Sequence, residues 1–192
     1  MVAPSQRRPF IVGVGGVAGG PSSTERALVL ALAAAEARGA ETRLIGGDVL
    51  ASLPLFVPRA PVRSPQEALF LETVRRADGL ILASPGYHGG VSGLVKNALD
   101  LLEETAADAR VYLTGMPVGL IATAYGWQAT GSTIAGLRAI VHALRGWPTP
   151  LAAAVNSLTA PFSADGACAD PQVSAQLATV GAQVADFLAP RP

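Results

Sequence analysis

The residues of this chain that could do chemistry crowd into two glycine-rich stretches. One runs from Gly13 through Gly15, Gly16, Gly19 and Gly20 to Pro21 and ends in Ser22-Ser23-Thr24. Exposed backbone N–H groups with three successive hydroxyls at the mouth of a helix can hold a phosphate monoester without a lysine. Plain helix capping, the alternative, needs only one of those hydroxyls. The match of Gly13–Ala18 to G-x-G-x-x-A is weak in a chain with 21 glycines. A dinucleotide fingerprint wants its helix to open from the last glycine and an acid at the end of the second strand. Here Gly19-Gly20-Pro21 intervene, and the nearest acid, Asp48, lies beyond Gly46-Gly47. The Walker pattern is absent, because Lys96 is the sole lysine.

The other stretch is Ser84-Pro85-Gly86-Tyr87-His88-Gly89-Gly90-Val91-Ser92-Gly93. His88 beside Tyr87 on a glycine loop reads as a ligand contact, whereas His142, inside a helical pattern, reads as structural. Two histidines so placed make no zinc site, and no acidic cluster has ligand spacing, so no metal is expected. Gly90-Val91-Ser92-Gly93 falls one residue short of the G-x-S-x-G elbow, which disfavours a hydrolase. The single Cys168 excludes an internal disulfide framework. Few ionisable groups, abundant glycine and aromatics suit a cofactor that carries its own chemistry.

The elements that position these loops alternate. Short apolar runs at Pro9–Val14, Glu41–Ile45, Gly79–Ala83, Met116–Ala124 and Trp147–Val155 read as five strands buried on both faces. Helical patterns follow Ser22 (Leu28, Leu32, Ala35), Ser64 (Leu69, Phe70, Val74), Gly93 (Leu94, Ala98, Leu101, Leu102) and Gln128 (Ile134, Leu137, Ile140, Val141, Leu144), and a last one spans Val173–Leu188. Tyr125-Gly126-Trp127-Gln128 reads as a turn, and Asp108–Thr114 as a polar loop. Right-handed crossovers make this a three-layer doubly wound α/β sandwich with a five-stranded parallel sheet. Strand order is flavodoxin-like or a truncated dinucleotide-binding arrangement; the pattern alone does not choose. Four prolines exclude a long regular element from Leu50–Pro65, whose apolar residues either fold back over the sheet or meet a partner subunit.

At 192 residues, half apolar and 15% charged, the chain suits a single domain over 9–189 behind a flexible N-terminus, 1–8. Net charge is zero and the thirteen arginines are scattered, which argues against a nucleic-acid partner. No secretory leader or run of eighteen apolar residues is evident, so a soluble cytoplasmic protein with no membrane partner is expected.

The run Ser84-Pro85-Gly86-Tyr87-His88-Gly89…Gly93-Leu94-Val95-Lys96-Asn97-Ala98-Leu99-Asp100 resembles the signature of the NADPH-dependent FMN reductases. These form a flavodoxin-like superfamily that includes quinone, azo-dye and chromate reductases. Gly15-Gly16…Ser22–Leu28 is similar to its phosphate loop, and Leu53-Pro54-Leu55-Phe56 to its apolar loop after the second strand. The resemblance implies strand order 2-1-3-4-5, an FMN cofactor and NADPH or NADH as co-substrate. Hydride would pass from the nicotinamide to flavin N5 and on to a small acceptor such as free flavin or a quinone. An electron-transfer or redox-sensing flavoprotein is the alternative, and a non-flavin Rossmann dehydrogenase a lesser one.

By the same resemblance, Ser22, Ser23 and Thr24 would take the FMN phosphate. Pro85, Gly86, Tyr87, His88 and Gly89 would contact the ribityl chain and ring edge. Ala124, Tyr125 and Gly126 would line the ring, with Tyr87, His88, Tyr125 and Trp127 walling the substrate pocket. No side chain is assigned as a catalytic acid or base. Lys96 would either orient the loop or pair with Asp100. A homodimer or homotetramer is implied through the 50–61 loop and adjacent helices.

Two departures stand out. Gly86 occupies a place where relatives carry Glu, which leaves backbone contacts available and the loop freer. The phosphate-loop arginine is missing, its place falling near Gly19. Its loss removes a charge-assisted contact worth about 1.5–3 kcal/mol, so weaker FMN retention is expected.

Overall fold

A computed structural model describes residues 7–160 and 162–189. Most of the 1–8 segment expected to be flexible lies outside the described residues. Within it, Arg7 donates to Asp78, and Arg8 donates to the Gly39 and Ala40 carbonyls.

Five parallel strands form the sheet: β1 (Phe10–Gly15), β2 (Glu41–Ile45), β3 (Gly79–Tyr87), β5 (Pro117–Ala124) and β6 (Trp147–Asn156). The two-residue β4 (Gly90–Val91) pairs antiparallel with the end of β3 alone. The order is β2-β1-β3-β5-β6. Counting parallel strands only, that is the expected 2-1-3-4-5 flavodoxin-like order.

Burial follows position in the sheet. Every residue of the interior strand β1 is buried, whereas edge strand β2 exposes Glu41, Arg43 and Leu44. Edge charges of this kind discourage pairing with other chains. Pro148 and Pro150 are tolerated because β6 is the other edge. Side chains alternate across each strand, so Ile11, Ile81 and Ile121 face α1 (Ser23–Glu36) and α6 (Pro171–Leu188), packing on Leu28, Leu177 and Val180. Val12, Leu80, Leu82 and Leu120 face the opposite layer. That layer holds α3 (Pro65–Arg76), α4 (Gly93–Asp100) and α5 (Trp127–Ala143). No helix among the described residues is long and apolar enough to cross a membrane.

Local detail departs from the expectation in four places. The chain forms a five-residue helix, α2 (Gly47–Ala51), directly after β2, too short to carry a periodic pattern. Leu69 is exposed, and α3 instead turns Phe70, Leu71 and Val74 inward. Likewise α4 buries Val95, Ala98 and Leu99, then tightens into a 3-10 turn over Leu101–Thr105. Trp127 and Gln128 open α5 rather than forming a turn.

Candidate functional site

A cavity of about 380 Å³ opens at the carboxyl ends of β1, β3 and β5, where open α/β sheets bind ligands. Its first wall is the start of α1. Ser22 caps that helix, its Oγ accepting the Glu25 N–H at 3.2 Å, and Ser22, Ser23 and Thr24 all line the cavity. Thr24 is buried, with Oγ1 2.5 Å from Thr123 Oγ1 at the end of β5. Thr123 therefore holds the first turn of α1 against the sheet. The sequence singled out Ala124 but not Thr123; a hydroxyl two residues before the aromatic turn, in an otherwise apolar strand, was the available signal.

The second wall is the Ser84–Ser92 excursion. β3 continues through Pro85 and Gly86 to Tyr87, which pairs with Gly90, leaving His88-Gly89 as a two-residue hairpin loop. His88 and Gly89 have φ of 51° and 79°. Both central residues of a type I′ turn need such values, and histidine is among the few side chains that tolerate them. Ser84 Oγ, buried, accepts the Ser92 N–H at 3.0 Å and closes the base of the loop. Ser92 Oγ in turn caps α4 by accepting the Val95 N–H at 3.4 Å. That hydroxyl is structural, which removes the basis for a hydrolase reading.

Gly86 is wedged rather than free. A methyl group there would lie 2.8 Å from Thr133 Oγ1 and 3.0 Å from the Ala129 carbonyl oxygen, both on α5. A longer side chain has no room while α5 leans on the loop. The freedom expected at this position is therefore absent.

Pro85, Gly86, Tyr87 and His88 line the cavity together with Ala124, Tyr125 and Gly126. Gly89 and Trp127 do not; Gly89 sits at the hairpin tip and Trp127 at the exposed start of α5. Val17, Thr123, Ala129 and Ser157 complete the lining. Tyr87 and Tyr125 are 55% and 76% exposed, so both rings stand at the mouth. Among the described residues, the only ionisable side chains lining it are Tyr87, His88 and Tyr125. His142, read as structural, is exposed on α5. Among the described residues no three His, Cys, Asp or Glu side chains converge as a metal site.

The signature helix braces the loop that follows α2. Asn97 Oδ1 accepts the Phe56 N–H at 2.8 Å, and its Nδ2 donates to the Pro54 carbonyl at 2.9 Å. Arg63 adds a second clamp, donating to Val57 O and to Glu104 while its guanidinium lies 5.1 Å from the Phe56 ring centroid. Lys96 pairs with Asp100 at 2.6 Å. The 50s loop thus folds back on its own subunit through buried Leu53, yet Leu55, Val57 and Val62 stay exposed.

The family model described as NADPH-dependent FMN reductase matches residues 11–159. The chain belongs to that family. An Escherichia coli (strain K12) protein named FMN reductase (NADPH) is 39% identical over 82 residues, 43% of this chain and 36% of that protein. A Staphylococcus haemolyticus FMN-dependent NADPH-azoreductase is 40% identical over 81 residues, 42% of this chain and 39% of its own. The matched segments therefore span well under half of those relatives. Among solved structures, the flavoenzyme NAD(P)H:(acceptor) oxidoreductase FerB from Paracoccus denitrificans superposes with a TM-score of 0.74 at 20% identity, covering 94% of this chain and 97% of that one. An oxidoreductase from Corynebacterium diphtheriae gives 0.70 at 19% identity, over 95% and 97%. At such identities the likeness is one of fold.

The residues present fit the group that family membership points to. The cavity's size is in the range of cofactor sites. The N-terminus of α1 offers hydroxyls and N–H groups for a phosphate, and the hairpin and the β5 turn offer backbone edges for a planar ring.

Proposed function

We propose that this chain is an FMN-dependent NAD(P)H oxidoreductase that passes hydride from nicotinamide to flavin N5 and on to a small acceptor such as free flavin or a quinone. The observation that carries the reading is the convergence of a hydroxyl-rich helix start, the Tyr87-His88 hairpin and the Tyr125 turn on one cavity whose lining, among the described residues, includes no Asp, Glu, Lys or Arg. When bound, flavin supplies the redox chemistry itself.

The chain's residues then have positioning roles. Ser22 and Ser23 at the positive end of α1 hold the phosphate, and Thr123 fixes that end through Thr24. Backbone groups of Pro85–His88 and of Ala124–Gly126 meet the ribityl chain and the ring edge, where fixed N–H dipoles stabilise added electron density. Tyr87 and Tyr125 give a planar nicotinamide or acceptor ring an aromatic surface to lie on, which orients it without taking a proton. NADPH or NADH serves as the co-substrate. The exposed tip of the 50s loop, with Leu55 81% accessible, is the surface through which a homodimer or homotetramer would form.

The test is the visible spectrum of purified protein loaded with FMN, followed anaerobically during addition of NADPH or NADH. Bleaching of the flavin band, and steady oxidation of the nucleotide once a quinone is present, are expected. Binding without nucleotide oxidation would assign an electron carrier instead, and no flavin binding would overturn the reading.

A further inference from the structure

Two helices of this chain open on the same Ser-x-x-Glu pattern, Ser22–Glu25 in α1 and Ser64–Glu67 in α3. The pattern favours a reciprocal cap, in which the serine hydroxyl takes the glutamate N–H and the carboxylate returns to the serine N–H. Helix α3 completes it: Ser64 Oγ accepts the Glu67 N–H at 3.2 Å, and the Ser64 N–H donates to Glu67 Oε2 at 2.7 Å. Helix α1 makes only the first half, through Ser22 Oγ. The Glu25 carboxylate turns away to the start of α2, where it accepts the Gly47 N–H at 3.4 Å. Glycines make the room for it. A methyl group at Gly46 would lie 2.6 Å from Glu25 Oε1, and one at Gly16 would lie 3.0 Å from Oε2. The Ser22 N–H is left with no acceptor among the described residues, and Ser22 lines the cavity.

We propose that Gly16 and Gly46 are positioning residues that hold the Glu25 carboxylate off the N-terminus of α1, which leaves the Ser22 N–H as a donor for the flavin phosphate. The inference rests on the flavin reading of the cavity. Among the described residues no lysine or arginine lines the cavity, so the phosphate depends on the hydroxyls and N–H groups of the first turn. A Glu25 that closed the cap would do two things there. It would occupy a backbone donor, and it would set a second negative charge against the phosphate. Both oppose an anion.

Fluorescence titration of the purified full chain with FMN tests this without turnover. Gly46 has a φ of -80°, which alanine adopts freely, and it does not line the cavity. Gly46→Ala therefore displaces the end of one flexible side chain, and the Glu25 carboxylate returns to Ser22. FMN should bind about ten-fold or more weakly, the worth of one charge-assisted contact. Gly46→Ala/Glu25→Gln keeps the same crowding and removes the charge, so it should recover most of the loss. FMN binding unchanged in Gly46→Ala, or a loss that persists in full in the double variant, overturns the inference while the flavin reading stands. Failure of the unsubstituted protein to bind FMN would overturn that reading itself.

Discussion

Thr24 and Thr123 meet hydroxyl to hydroxyl at 2.5 Å across 99 residues of chain, and both line the cavity. Thr24 opens α1 and Thr123 ends β5, so the pair fixes the phosphate end relative to the ring end. If Thr24 accepts from Thr123, its own proton is free to point at a ligand. Replacing one by valine strands a buried hydroxyl, at about 1–3 kcal/mol. The Thr24→Val/Thr123→Val double variant should therefore lose less than the sum of the single losses. Urea unfolding of the four proteins measures the coupling. Strict additivity would mean that the two hydroxyls do not interact.

Gly86 gives the second prediction. Its neighbours Thr133 and Ala129 belong to α5, so Gly86→Ala forces that helix away from the hairpin. Overpacking of this kind costs about 1–3 kcal/mol. FMN affinity should fall with stability, because the displaced hairpin carries Tyr87 and His88. Thermal melting and flavin titration read both, and an Ala variant as stable and as tight-binding as the parent would show that α5 yields freely.

The strands and both glycine loops were legible because each rests on local pattern, short apolar runs and hydroxyl caps, whereas the strand order came only through the family resemblance of the signature motif. What sequence could not supply was contact between distant segments. Nothing near Asn97 says that its amide will hold Pro54 and Phe56, and nothing near Gly19 names Asp48 as its acceptor. Helical phase failed where apolar residues run consecutively: Leu69-Phe70-Leu71 gives three candidate faces, and packing chose one that leaves Leu69 outside. At the rim, Trp127 was misplaced because Gly126 reads as a turn, yet α5 starts immediately after it.

The Asn97 clamp can be tested directly. Asn97→Ala removes both hydrogen bonds to the 50s loop, at about 1–2 kcal/mol. Arg63 still holds Val57, so the segment freed is Pro54–Phe56. Limited proteolysis should cut there sooner in the variant than in the parent, with the rest of the chain equally resistant. Unchanged proteolysis would mean that Leu53 and Arg63 suffice to seat the loop.

The last prediction concerns acid. Glu67 is buried in the first turn of α3, where its carboxylate accepts the Ser64 N–H at 2.7 Å and pairs with Arg63 at 3.1 Å. Burial alone pushes its carboxyl up; hydrogen bonding to Ser64 and the charge of Arg63 outweigh that and leave it below the ordinary value. A carboxyl lowered on folding stabilises the protein above its unfolded value, about pH 4.3 to 4.5, and loses that stabilisation as pH falls through the folded value. Glu67→Gln should cost about 1.5–3 kcal/mol at pH 7. The gap between parent and variant should close as pH drops below about 4. Other carboxylates titrate in the same window, so the difference between the two urea-unfolding curves is the quantity to follow. A gap that stays constant down to pH 3 would place the contribution of Glu67 in packing rather than in charge.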